Sequence, residues 1–192
     1  IESQMTDGPM LPAVVEVVAV CERKDFQGFL DTLAYGSEGH PNNVRYAAIA
    51  GLGKLKTRES ITTLSKLLAR PEAPATRQEV MNALSRMNTQ DALQPLQRVF
   101  LNAQSDGTAR RMALEALAGS RLGTTWLLDQ HSKKALPADL VAEAGRILRG
   151  SPHQDLRNKA LLAFPIASKM NVAKLPAPSE LAKKLGNPEH GK

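Results

Sequence analysis

The residues of this chain best suited to binding chemistry are four arginines that occupy the same position in four similar segments. Each arginine is followed three residues later by a small or β-branched residue and four residues later by a large apolar one. A row of guanidinium groups repeated in this way could form a basic stripe that binds an anionic ligand. The candidate binding residues are therefore Arg45, Arg77, Arg110 and Arg157.

No catalytic, cofactor-binding or metal-binding pattern competes with these arginines. Trp126 and Asp129 form an aromatic and carboxylate pair that could serve a catalytic pocket, but core packing is the expected role of the tryptophan. Gly51-Leu-Gly53 lacks the strand and the third glycine of a dinucleotide-binding loop. The histidines lack the spacing of a metal motif, so turn or surface positions are expected for them. They are His40, His131, His153 and His190.

The four arginines open segments that have the pattern of an amphipathic helix. Apolar residues follow each arginine at offsets of three, four and seven, which fall on one helical face. Small and large residues alternate on that face, and this alternation suits close packing of one helix against another. The segments cover residues 44–52, 76–84, 109–117 and 156–164.

A second apolar-periodic segment precedes each of these helices, so each repeat is predicted to contain two helices. The arginines are 32, 33 and 47 residues apart, which is typical of a helical solenoid, and the longest spacing leaves room for an extra helix at 138–149. A further helix is expected at 13–22, where a run of valines leaves a strand as the alternative. The first helices are predicted at 26–35, 60–69, 91–102 and 124–133.

The composition favours an all-α protein. Only 4% of the 192 residues are aromatic, whereas alanine and leucine are abundant. The formal net charge of +6 suggests an anionic partner, but the basic residues are scattered, which favours an ordinary solvated helical surface. The single cysteine, Cys21, excludes an internal disulfide and is expected to be a small buried residue. No segment has the length of a membrane span or the form of a signal peptide.

Helix pairs with this apolar pattern, and with an arginine opening the second helix, resemble HEAT or HEAT-like (PBS-lyase-type) repeats over residues 25–165. The usual Asp-x-Val-Arg opening survives in variant form at Asp155-Leu-Arg157, as Val44-Arg45, and as the arginine alone in the other two segments. The resemblance implies a right-handed α-solenoid of about four HEAT-like helix pairs. It also implies that the arginines bond carbonyls or carboxylates of the adjacent repeat, with ligand binding as the alternative.

The last third of the chain carries motifs that suggest a narrower relationship. They are Leu136-Pro-Ala-Asp-Leu140, Ser151-Pro-His-Gln-Asp-Leu-Arg157, Ala163-Phe-Pro165 and the stretch from Glu180 to Lys192. These motifs resemble the HEAT segment of large planctomycete-type dehydrogenase-like proteins, in which it precedes a c-type haem-binding domain. Asn187 stands where that family more often has aspartate. The resemblance implies haem in the parent protein and no cofactor in this chain, which ends before any Cys-x-x-Cys-His motif.

These patterns predict a non-catalytic module for protein interaction or spacing. Residues 1–12 are expected to be a disordered lead-in, 13–170 the solenoid, and 171–192 a linker towards a following domain. The expected partners are neighbouring domains of the same polypeptide, without membrane association. The family places the parent protein in the periplasm or outside the cell, whereas a free-standing chain would be cytoplasmic. The alternative function is nucleic-acid binding through a basic concave face, with DNA-glycosylase activity at Trp126 and Asp129 as an enzymatic variant.

Overall fold

The computed structural model describes residues 24–36 and 41–165, together with the single positions 13, 15 and 17. In that part of the chain all regular structure is helical, and a 3-10 turn at Lys24–Phe26 is followed by nine α-helices. The all-α prediction is therefore confirmed. The helices are α1 (Gln27–Tyr35), α2 (Asn42–Leu55), α3 (Arg58–Leu68), α4 (Pro74–Met87), α5 (Gln90–Leu101), α6 (Gly107–Ala118), α7 (Arg121–Ser132), α8 (Val141–Arg149) and α9 (Gln154–Ala163).

The N-terminal part of the chain is described at three positions only. Ala13, Val15 and Val17 are helical, in agreement with a helix rather than a strand. The side chain of Val15 is fully buried in the core, and Val17 is exposed. The lead-in at 1–12, Cys21, His40, the linker at 171–192 and its His190 lie outside the described residues.

Capping residues explain where several of the helices begin. Thr57, Thr89 and Ser120 precede α3, α5 and α7, and each hydroxyl accepts a hydrogen bond from a backbone N–H three residues later. These bonds satisfy amide groups that have no partner inside the helix. Pro74 opens α4, where its missing N–H costs nothing, and the Asp106 carboxylate caps α6.

The helices pack in two layers, which we name after the order of the helices within each pair. In the first-helix layer, α1 contacts α3 and α3 contacts α5. In the second-helix layer, α2 contacts α4 and α4 contacts α6. The apolar faces of both layers meet in one core cluster. Its largest fully buried members include Leu30, Ile49, Leu64, Met81, Leu93, Phe100, Leu114 and Leu117.

The C-terminal end departs from the predicted alignment of the repeats. Alignment on Arg157 predicts that α9 is the second helix of the fourth pair. Instead α8 packs beside α6, and α9 packs beside α7, so α8 is the second helix and α9 belongs to the first-helix layer. An ion pair with an N–O distance of 2.6 Å joins Asp155 of α9 to Arg121 at the start of α7. Because an extra helix lies in the 47-residue interval between Arg110 and Arg157, Arg157 lies in the first-helix layer and not in the second-helix layer.

Candidate binding surface

Arg45 of α2 joins the first helix pair to the second. Its Nε donates a 2.9 Å hydrogen bond to the carbonyl of Ala34 at the end of α1. Its Nη2 lies 2.8 Å from a carboxylate oxygen of Glu72, which stands just before α4. Glu72 also lies 3.9 Å from Arg70, whose guanidinium covers the ring of Tyr35 at 5.6 Å. Arg45 therefore satisfies a carbonyl at a helix end and ties two pairs together.

Arg110 of α6 repeats this arrangement two helices further along the second-helix layer. Its Nε donates to the carbonyl of Phe100 at 3.3 Å, near the end of α5. Its two terminal nitrogens bond both carboxylate oxygens of Asp139, at 2.9 and 3.2 Å. Asp139 precedes α8 as Glu72 precedes α4. This bidentate geometry fixes the relative orientation of the guanidinium and the carboxylate and makes the ion pair stronger.

The other two arginines of the series behave differently. Arg157, in the first-helix layer, donates from Nη1 to the carbonyl of Ser151 at 3.3 Å, a local contact. Arg77 is half-buried and has no side-chain hydrogen bond or ion pair with any residue that the structure describes. It lines an open cleft of about 380 Å³ between the second and third helix pairs. The four predicted binding residues thus occupy three kinds of environment.

A larger groove, of about 650 Å³, lies between α3 and α5 of the first-helix layer. Its apolar floor is made by half-buried side chains, among them Ile61 and Pro95. Exposed cations stand along its rim. They are Arg58, Lys66 and Arg98.

The groove and the Arg77 cleft are continuous, because both are lined by Leu68, Ala69 and Val99. Sequence reasoning missed this surface. The available signal was the apolar character of Ile61 and Leu68, which widen the apolar face of α3 beside its fully buried leucines. The two parts together are named the α3–α5 groove below.

The described residues among those considered for catalysis or metal binding have other contacts. Trp126 packs edge-on against Phe100, with ring centroids 6.0 Å apart, while Asp129 accepts a 2.6 Å bond from Lys133. His131 contacts the carbonyl of Ala163 at 3.0 Å and stacks on Phe164. Among the described residues, no group of three or more His, Cys, Asp or Glu side chains could hold a metal ion. In the same part of the chain no helix is long and apolar enough to cross a bilayer.

The exposed face of the second helices carries both signs of charge. Arg86 on α4 has Glu79 on the same helix, and Arg111 on α6 pairs with Glu143 on α8 at 3.4 Å. Because carboxylates are interspersed with the cations, this face lacks the dense positive charge that a phosphate backbone requires. The nucleic-acid alternative is therefore not favoured.

Comparison with known proteins agrees with the architecture. Residues 30–118 match the family of HEAT repeats, and this match spans the helices from α1 to α6. No curated protein matches the chain significantly. HEAT repeats generally mediate contacts between proteins. Residues 30–118 are thus similar to HEAT repeats, and the described part of the chain is built as an α-solenoid of stacked helix pairs.

Proposed function

We propose that this chain is a non-catalytic solenoid that binds protein and holds neighbouring domains of a longer polypeptide at a fixed separation. The observation that carries the proposal is the continuity of the stack, whose core cluster includes buried residues from Val15 to Phe164. Each helix pair buries its apolar face only against the next pair, so the stack acts as one extended body. Such a body can fix a distance and also offer a long surface to a partner.

The last described helix supports a contact with further protein. Leu162 of α9 is 84% exposed and Leu161 is 46% exposed. Adjacent exposed leucines on a helix at the end of the described stack are suited to packing against another domain. We assign this contact to the domain that follows the solenoid.

The finer part of the proposal concerns a redox parent protein. Its support is the resemblance of the motifs between Leu136 and Lys192 to dehydrogenase-like proteins that carry a c-type haem domain. In such a protein this chain would contribute no redox group. Its role would be geometric, because the number of stacked pairs sets the separation of the two flanking domains.

The test is carried out on the longer natural protein. Its absorption spectrum is measured for covalent haem, and electron transfer to the haem is then compared before and after removal of residues 57–88, which contain α3 and α4. Removing one pair shortens the stack by about 10 Å, so we expect slower transfer. An Arg86→Glu variant keeps the pair number and serves as the control.

Each outcome bears on a different part of the proposal. Unchanged transfer in the shortened protein would contradict the spacing role. A longer protein without a haem band would overturn the redox context and leave protein binding to be judged on its own.

A further inference from the structure

At each junction between neighbouring helix pairs, an arginine on the second helix of one pair stands near the turn that precedes the second helix of the next pair. At the first and third junctions a carboxylate in that turn pairs with the arginine, and at the middle junction no described carboxylate does so. Arg45 reaches Glu72 across the first junction, and Arg110 reaches Asp139 across the third. Arg77 stands at the corresponding place in the second junction, half-buried, with no ion pair to a described residue. A half-buried guanidinium that lines an open cleft without an ion pair to a described residue is accessible to an acid supplied from outside, which would bond it with charge assistance.

The local sequence explains why the acid is missing. The carboxylates that pair with Arg45 and Arg110 come 27 and 29 residues after those arginines, in the turn before the next second helix. At the same distance from Arg77 lies Asp106. Its carboxylate instead accepts a 3.3 Å hydrogen bond from the N–H of Ala109 and caps α6. Asp106 and Arg77 line the same cleft but form no ion pair.

The unpaired arginine lies at one end of the α3–α5 groove. The floor between α3 and α5 is apolar, and the cleft around Arg77 continues from it past Leu68 and Val99. The lining contains five cationic residues against two acidic ones, Asp91 and Asp106. An apolar floor with a positive rim is complementary to a segment that is apolar on one side and acidic on the other.

We propose that the α3–α5 groove binds an acidic amphipathic segment of a protein partner, with one of its carboxylates paired to Arg77. Apolar side chains of the segment pack on Ile61, Leu68 and Val99, and further acids lie near the rim cations. This inference rests on the proposed protein-binding function and names the site and the partner chemistry. The apolar floor distinguishes the groove from a nucleic-acid site, since sugar and phosphate would leave that floor uncovered.

The probe is a labelled helical peptide of about 16 residues, with leucines along one face and glutamates on the flanks of that face. Its binding to the full 192-residue chain is measured by fluorescence anisotropy at low salt. We expect Arg77→Met to weaken binding about tenfold or more, because a charge-assisted hydrogen bond is lost. We expect the double variant Lys66→Glu, Arg98→Glu to weaken it as well, with a flatter salt dependence.

Matched controls separate a specific site from general charge. Arg86→Glu changes an exposed cation on α4 outside the groove and should leave binding unchanged. Peptides with lysine in place of glutamate, or serine in place of leucine, should not bind. Arg77→Met should keep the thermal midpoint of the wild type, since Arg77 has no ion pair or side-chain hydrogen bond with a described residue, so weaker binding cannot be ascribed to unfolding.

Three results would overturn the proposal. They are no saturable binding of the acidic peptide up to about 1 mM, equal affinity in Arg77→Met, and displacement of the peptide by a duplex DNA oligonucleotide. The last result would assign the surface to nucleic acid. None of them affects the electron-transfer comparison in the shortened protein, so the spacing role is tested separately.

Discussion

The two layers of the stack solve the same packing problem differently. In the second-helix layer, α2 and α4 approach so closely that a Cβ added to Gly53 would lie 3.0 Å from the Cβ and carbonyl oxygen of Ala83. In the first-helix layer, α3 and α5 stand apart and leave the α3–α5 groove between them. A row of small residues closes one layer, and its absence from the other leaves surface for a partner.

The first-helix layer compensates for looser packing with polar links at the helix ends. The hydroxyls of Thr57 and Ser60, at the start of α3, each donate a 2.8 Å hydrogen bond to Oε1 of Gln27, the first residue of α1. Ser60 is fully buried. One layer is thus held by close contact of backbones and the other by specific hydrogen bonds, and the two should respond differently to substitution.

The largest difference is expected from adding bulk to each layer. Gly53→Leu should lower the free energy of unfolding by about 3 kcal/mol, because the new side chain must push α2 and α4 apart. Thr62→Leu adds a similar side chain to the open groove and should change it by less than about 0.5 kcal/mol. Chemical denaturation measures both. Equal losses would contradict the contrast between the layers.

The arginine positions provide the next comparison. Arg45→Met should cost about 2 kcal/mol, because Glu72 is 90% shielded from water and would lose its principal counter-charge. Arg77→Met should be nearly neutral or slightly stabilising, since no described residue loses a bond with it. The same denaturation experiment measures these values. A comparable loss in both variants would show that Arg77 is bonded within the stack.

A smaller effect is expected at the polar link of the first-helix layer. Thr57→Ala removes both the cap on the N–H of Ser60 and the hydroxyl bonded to Gln27. We expect a loss of about 1 kcal/mol. Thr62→Ala removes a threonine hydroxyl from the exposed side of the same helix and is the control. If both variants lose the same free energy of unfolding, neither the cap on Ser60 nor the bond to Gln27 stabilises the fold measurably.

The smallest effect is expected at the exposed pair of α7 and α9. The hydrogen bond from Arg121 lowers the pKa of Asp155 from its ordinary value of 3.8. A carboxyl whose pKa is lower in the folded state stabilises the fold above the ordinary pKa and loses this contribution as the pH falls through the lowered value. The urea midpoints of wild type and Asp155→Asn should therefore differ at pH 7 and converge in acid. A gap that persisted at low pH, or resisted salt, would argue against the ion pair.

The sequence predicts the regular part of the stack because its signals are local. Offsets from Arg45, Arg77 and Arg110 identify the second helices of the first three pairs, and the extra helix near Val141 follows from the spacing. The layer of α9 was predicted wrongly, because the pattern around Arg157 describes a helix face but not how many helices precede it. The α3–α5 groove depends on the distance between two helices, and the absence of an ion pair between Arg77 and Asp106 depends on the position of a carboxylate that caps α6. Neither can be derived from periodicity.

The unmatched arginine also bears on how the stack unfolds. A repeat array behaves like a one-dimensional lattice, in which the weakest coupling between neighbours marks where cooperativity breaks. The junctions at Arg45 and Arg110 carry an ionic link, whereas the one at Arg77 has none among the described residues and is held by packing and by a buried hydrogen bond from the Ser85 hydroxyl to the carbonyl of Ala116. If the ionic links decide the coupling between pairs, helices α1 to α4 and the helices from α5 onward should exchange amide hydrogens as two blocks, and a single cooperative block would show that packing decides it. A partner whose carboxylate paired with Arg77 would join those blocks into one cooperative unit. Its binding would then slow amide exchange along the whole solenoid.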